Sequence, residues 1–83
     1  MRIEFKLPDL GEDAGDAAEV SFWKLEEGAS FAKDEPLVEM LTEKASFEVP
    51  APADGVLVEI RAREGTDVEV GGVLAVIETE DEG

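Results

Sequence analysis

Apolar and polar residues alternate along this chain in short pieces with a period near two, the spacing of β-strands whose successive side chains face opposite ways. Ile3-Glu4-Phe5-Lys6-Leu7 alternates cleanly and stops at Pro8, which predicts a first strand. Val20 to Leu25 predicts a second, Ser30-Phe31 a short extended piece, and Leu37 to Leu41 another full strand. Ser46 to Val49, Val56 to Ile60, the surroundings of Val68 and Val73 to Thr79 complete a set of eight. Glu26 to Ala29, Lys33 to Pro36, Glu64-Gly65 and Gly71-Gly72 supply turns between them. Asp9 to Glu19 is rich in Asp, Glu, Gly and Ala, is broken by Gly11 and Gly15, and reads as a surface loop.

The pattern repeats at an offset of 37 positions: Glu27-Gly28 aligns with Glu64-Gly65, Phe31 with Val68, Leu37 with Leu74, Met40 with Ile77, and Thr42-Glu43 with Thr79-Glu80. Eight short strands in two matching halves predict an all-β fold, a flattened barrel or sandwich of two four-stranded sheets with internal pseudo-two-fold symmetry. Its expected core is Phe5, Val20, Leu25, Phe31, Leu37, Met40, Val49, Leu57, Ile60, Val68, Leu74 and Ile77. The chain reads as one domain over 1–83, with its core about 3–79 and a frayed tail or the start of a linker at 80–83. In this arrangement Lys44 and Asp81 occupy equivalent places, which sets the termini opposite the lysine.

The stretch Thr42-Glu43-Lys44-Ala45 joins two of these strands through very few polar residues, which suggests a hairpin. A lysine amine then stands away from the body on a tight turn, poorly placed as a buried base and well placed to be modified. Leu41 points outward beside that tip if Val38 and Met40 point inward. Trp23 reads as core packing, and Gly28, Gly55, Gly65 and Gly71 as turn residues needing positive φ or close backbone approach rather than as phosphate cradles, because none opens a helix.

Composition narrows the function. Twenty-two acidic residues against seven basic ones give a net charge of −15, which repels nucleic acid and anionic membrane surfaces. The 43% hydrophobic content is enough for a packed domain. No cysteine and no histidine remove thiolate metal sites, disulfides and the commonest general base. No apolar run reaches membrane-spanning length, and a cytoplasmic location is expected. The many carboxylates lack the spaced ligands of a calcium loop and read as a solvated acidic face, with no metal expected.

Leu7-Pro8-Asp9-Leu10-Gly11-Glu12, Trp23, Glu27-Gly28, Glu43-Lys44-Ala45, Glu48-Val49-Pro50-Ala51-Pro52, Gly55, Glu64-Gly65 and Gly71 follow one another in an order that resembles the lipoyl domains of the biotinyl/lipoyl-carrier family. The resemblance covers about residues 3–79. It implies lipoic acid as a covalent cofactor, amide-linked to Lys44, with Glu43 and Ala45 flanking the attachment turn. Glu43 stands where the family pattern more often has Asp. The biotin-carrying branch flanks its lysine with methionine on each side, which this chain lacks. The family loop usually continues Gly-Glu-Gly where this chain has Gly11-Glu12-Asp13, followed by Ala14-Gly15-Asp16. In the family that loop lies beside the modified hairpin, so Glu12, Asp13 and Asp16 become candidates for partner recognition together with Leu41.

The resemblance further implies a carrier without catalysis of its own, part of a dihydrolipoamide acyltransferase. Its expected partners are a lipoate-attaching ligase or transferase, the decarboxylating 2-oxo acid dehydrogenase component, the acyltransferase catalytic domain and dihydrolipoamide dehydrogenase. The alternatives are a biotinyl carrier, a lipoyl carrier of the glycine-cleavage type, and an unmodified β-sandwich used for assembly.

Overall fold

The computed structural model describes residues 1–8 and 16–79. Eight strands run in chain order: β1 (Arg2–Lys6), β2 (Ala17–Trp23), β3 (Ser30–Phe31), β4 (Pro36–Leu41), β5 (Ser46–Pro50), β6 (Gly55–Ile60), β7 (Asp67–Glu69) and β8 (Val73–Thr79). They form two antiparallel four-stranded sheets, in the orders β1-β8-β6-β3 and β5-β4-β2-β7. The sheets close on Leu37, Val38, Met40, Leu57, Leu74, Ala75 and Ile77, all fully buried. Apolar side chains on the inner face and polar ones outside are what hold a sandwich of this size together.

The two halves repeat strand by strand. Glu19, Val20, Phe22 and Trp23 pair with Leu41, Met40, Glu39 and Val38. Val56, Leu57, Glu59 and Ile60 pair in the same way with Glu78, Ile77, Val76 and Ala75. Both pairings slip at the equivalent place, between Val20 and Phe22 and between Leu57 and Glu59. The edge strands match too: Phe5 and Lys6 face Ala75 and Val73 as Val49 and Pro50 face Val38 and Pro36. The edge pairings slip as well, skipping Leu37 between Pro36 and Val38 and Leu74 between Val73 and Ala75, and this explains why Leu37 and Val38, neighbours in sequence, are both buried, as are Leu74 and Ala75. A bulge puts an extra residue on one strand, and strict alternation across it is lost.

Two expectations are corrected. The predicted loop over 9–19 is a strand from Ala17 onward: Ala17, Ala18 and Glu19 pair with Glu69, Val68 and Asp67. Alanine has little β-propensity of its own, and here the partner strand and the burial of Ala18 decide. Leu25 is only partly buried and packs against the margin of the core. Leu7, Ala18, Trp23, Val38, Ala51, Ala62 and Ala75 join the core besides the expected residues. Trp23 lies against Phe5 with ring centres 6.5 Å apart and donates its indole N–H to the Ala62 carbonyl at 2.8 Å. Residues 9–15 and 80–83, including the predicted tail and Asp81, lie outside the described residues.

Gly55 has no room for a side chain. A Cβ there would collide with the Glu78 carbonyl oxygen and come within 3.2 Å of Phe31 Cζ. Its equivalent in the other half is Ala18, which faces Val68 as Gly55 faces Phe31. Small opposite large in one half and medium opposite medium in the other fill the same slot.

Candidate functional site

β4 and β5 end together at the pair Leu41–Ser46, and residues 42–45 close the hairpin between them. The Thr42 amide donates to the Ala45 carbonyl at 2.8 Å, and the Thr42 hydroxyl donates to the same oxygen at 3.0 Å. The hydroxyl oxygen in turn accepts the amides of Lys44 at 3.3 Å and Ala45 at 3.2 Å. The turn is therefore built by a threonine side chain in place of an Asn-Gly or Asp-Gly pair.

Glu43, Lys44 and Ala45 are all exposed. Among the described residues Lys44 makes no ion pair, and the Glu43 carboxylate makes no hydrogen bond. Other amines are differently placed. Lys24 Nζ pairs with Glu48 Oε2 at 3.0 Å and lies 5.2 Å from the centre of the Phe22 ring. Lys6 Nζ stands 3.7 Å from Glu4 Oε1. Lys33 is exposed in the turn between β3 and β4, its backbone amide donating to Asp54 Oδ1 at 2.7 Å. Lys44 alone among them sits at the end of a hairpin.

Leu41 projects from the outer face of β4 and is 38% exposed. Across the strands its row reads Ser46, Leu41, Glu19 and Asp67, and the next row reads Glu48, Glu39 and Phe22. Phe22, 40% exposed, is a second apolar group on this acidic face, and the sequence reading did not single it out. Its bulged register put it on the outer face, against the alternation with Val20 and Trp23. Asp16 is exposed just before β2, and its carbonyl accepts the Val70 amide at 2.9 Å. Glu12 and Asp13 lie outside the described residues. No cluster of three potential metal ligands and no helix able to cross a membrane occurs among the described residues.

A family model described as "biotin-requiring enzyme", for the biotin/lipoyl family, matches residues 3–77. The chain is 39% identical over 82 residues to the dihydrolipoyllysine-residue acetyltransferase component of the pyruvate dehydrogenase complex of Corynebacterium glutamicum, covering 99% of this chain and 12% of that protein. It is 45% identical over 78 residues to the dihydrolipoyllysine-residue succinyltransferase component of the 2-oxoglutarate dehydrogenase complex of Bartonella vinsonii, covering 94% of this chain and 19% of that one. The chain thus spans less than a quarter of the length of these curated relatives. Among solved structures it is similar to the lipoyl domain of the Azotobacter vinelandii 2-oxoglutarate dehydrogenase complex. That match has a TM-score of 0.72 and 33% identity, over 98% of this chain and 99% of that one. A single-chain, multi-domain long-chain acyl-CoA carboxylase shares the fold at a TM-score of 0.80, with 20% identity over 99% of this chain and 7% of that one. The chain belongs to the biotinyl/lipoyl-carrier family and is a domain of the lipoyl type.

Proposed function

We propose that Lys44 carries lipoate in amide linkage, and that the domain moves acyl groups between the active sites of a 2-oxo acid dehydrogenase complex in the cytoplasm. The observation that supports this reading is the exposed Lys44 at the end of the β4–β5 hairpin, free of ion pairs among the described residues. A primary amine in that position fits an acyl-linked arm: nothing described has to move for an attaching enzyme to reach it. The cofactor, when bound, supplies the redox-active sulfurs and the acyl-accepting thiol that this cysteine-free chain lacks.

The protein's own part is mechanical and electrostatic. The hairpin holds the point of attachment clear of the sandwich, and tethering raises the effective concentration of the arm at each active site in turn. The excess of carboxylates draws the domain toward basic entrances and sets the encounter rate. Leu41, with Glu12, Asp13 and Asp16, is proposed as the set of residues by which partners choose this domain. Those partners are the attaching ligase or transferase, the decarboxylating dehydrogenase component, the acyltransferase catalytic domain and dihydrolipoamide dehydrogenase. Catalysis belongs to them.

Intact mass tests the attachment. Wild type incubated with a lipoate ligase, ATP and lipoate is expected to gain one lipoyl group, and Lys44→Arg none. Addition to Lys24 or Lys33 in the variant, or biotin taken in place of lipoate, would overturn the reading.

A further inference from the structure

Thr42 uses every hydrogen-bonding capacity of its hydroxyl inside the turn. A hydroxyl has one proton to give and two lone pairs to receive with. Here the proton goes to the Ala45 carbonyl at 3.0 Å, and the lone pairs take the Lys44 amide at 3.3 Å and the Ala45 amide at 3.2 Å. Glu43, between Thr42 and the lysine, makes no such bond among the described residues.

The internal repeat separates what the fold requires from what the lysine requires. Thr79 is the equivalent of Thr42, and its amide donates to the Met1 carbonyl at 2.8 Å, as the Thr42 amide donates to Ala45 at 2.8 Å. The backbone bond is therefore common to both ends of the sandwich. Thr79 is buried, at 7% exposure, whereas Thr42 is only partly so. Among the described residues the hydroxyl bonds to the amides beside a lysine occur at Thr42 alone.

We infer that Thr42 is the positioning residue for modification: its hydroxyl fixes the Lys44 backbone in the turn an attaching enzyme reads. This rests on Lys44 being the lipoylated residue. The four-residue connection has neither Gly nor Asn, so beside the backbone bond from Thr42 to Ala45 it is this hydroxyl that favours a single shape. Without the hydroxyl oxygen two exposed amides turn to water, and the turn samples other conformers. If only one molecule in ten then holds the competent turn, the apparent specificity constant falls about tenfold. The chemistry of the amine itself does not change.

The experiment compares wild type, Thr42→Val and Thr42→Ser. Val keeps the shape and loses the oxygen, and Ser keeps the oxygen. Three quantities are read: kcat/KM for lipoylation by a lipoate ligase, the rate of acetylation of Lys44 by acetic anhydride, and amide hydrogen exchange at Lys44 and Ala45. Thr42→Val is expected to lose about tenfold or more in kcat/KM. Its amides at 44 and 45 should exchange several-fold faster, its acetylation rate should be unchanged, and its Tm should fall by no more than about 4 °C. Thr42→Ser should restore both the ligase rate and the slow exchange. Lipoylation of Thr42→Val within twofold of wild type would overturn the inference, as would an equal loss in the Ser variant. A wild type that the ligase leaves unmodified would overturn the lipoyl reading instead, and the exchange measurement would still decide whether Thr42 holds the turn: unchanged exchange in Thr42→Val refutes it.

Discussion

Glu27 and Glu64 exchange carboxylates between the two halves of the sandwich: Glu27 Oε2 accepts the Ile60 amide at 2.9 Å, and Glu64 Oε2 accepts the Trp23 amide at 3.3 Å. β7 pairs with β2 only through Ala17–Glu19, and β3 pairs with β6 only through Gly55 and Val56, so the far ends of β2 and β6 have an open edge. The two glutamates supply acceptors where a neighbouring strand is missing. Each is followed by a glycine at positive φ, 95° at Gly28 and 88° at Gly65. Those glycine amides return to the same strands, Gly28 to Leu57 and Gly65 to Val20. A Glu-Gly pair is thus one device used twice.

This geometry has a pH signature at Glu64. Its carboxyl is held below the ordinary carboxylate value by bonds from its own backbone amide and from that of Trp23, with desolvation opposing and Arg63 assisting. A group whose pKa is lowered on folding adds stability above its unfolded value, and the contribution is lost as pH falls through the folded value. The Tm difference between wild type and Glu64→Gln is therefore expected to be largest above about pH 5.5 and to shrink below about pH 4.5. Comparing the two proteins at each pH cancels most of the bulk charge effect. A difference that stays constant from neutral to acid pH would show that the charge at Glu64 is immaterial.

Salt is expected to stabilise this protein. A net charge of −15 on 83 residues opposes compaction, and the ion pairs formed among the described residues are largely exposed. Such pairs contribute little, while screening reduces repulsion over a length of roughly 10 Å at 0.1 M salt. Tm should rise steadily between about 10 mM and several hundred mM sodium chloride. A flat or falling curve would mean that the carboxylates are already compensated locally.

Gly55→Ala should destabilise the fold by about 1–3 kcal/mol or more, because the added methyl meets backbone that cannot yield as a side chain would. Ala18→Gly, at the equivalent position, should cost about 1–2 kcal/mol from the lost buried methyl and the freer unfolded chain. Denaturant unfolding of both variants measures this. A tolerated Gly55→Ala would show that the slot is looser than the packing indicates.

Most of the strands could be read from alternation, and the repeat at 37 positions carried the symmetry. What escaped lay where one residue depends on another far along the chain. Ala17 and Ala18 are strand residues because β7 lies beside them, and nothing local marks them. Leu37 with Val38, and Leu74 with Ala75, defy alternation because of register slips in the edge-strand pairings. Glu27 and Glu64 look like turn carboxylates until their partners Ile60 and Trp23 are known. At the hairpin, the lysine was legible from the strands on either side, but Thr42 was not separable from Glu43 without the hydroxyl geometry.

Core and tip should respond differently to truncation. Met40 is fully buried, and Met40→Ala is expected to cost about 2–4 kcal/mol. Lys44 is exposed and unpaired among the described residues, so Lys44→Ala should change stability by less than about 0.5 kcal/mol. Urea melts of the two variants give the comparison. Equal losses would make the tip a structural element.

Leu41→Ser and Asp16→Asn, each fully lipoylated and folded, should slow reductive acylation by the cognate dehydrogenase through different routes. Removing the apolar contact shortens the life of the complex, and removing a charge slows its formation. Stopped-flow kinetics at two salt concentrations separate these. Unchanged rates in both would place recognition elsewhere.

Among the described residues, β4 and β5 are the one pair of strands adjacent both in the chain and in a sheet. Every other pairing joins distant segments, and β1 cannot find its neighbour until β8 exists, as the pair Arg2–Glu78 makes plain. During synthesis at about 5–20 residues per second, the hairpin emerges some seconds before β8 does. A lone two-stranded hairpin is marginal in water, so its turn gains a fixed shape only as β2 pairs with β4 and the opposing sheet closes over them. An attaching enzyme that reads the shape of the turn would find it only in domains whose sandwich has closed. If Lys44 is the residue modified, the fold's wiring would make that modification wait for a closed domain.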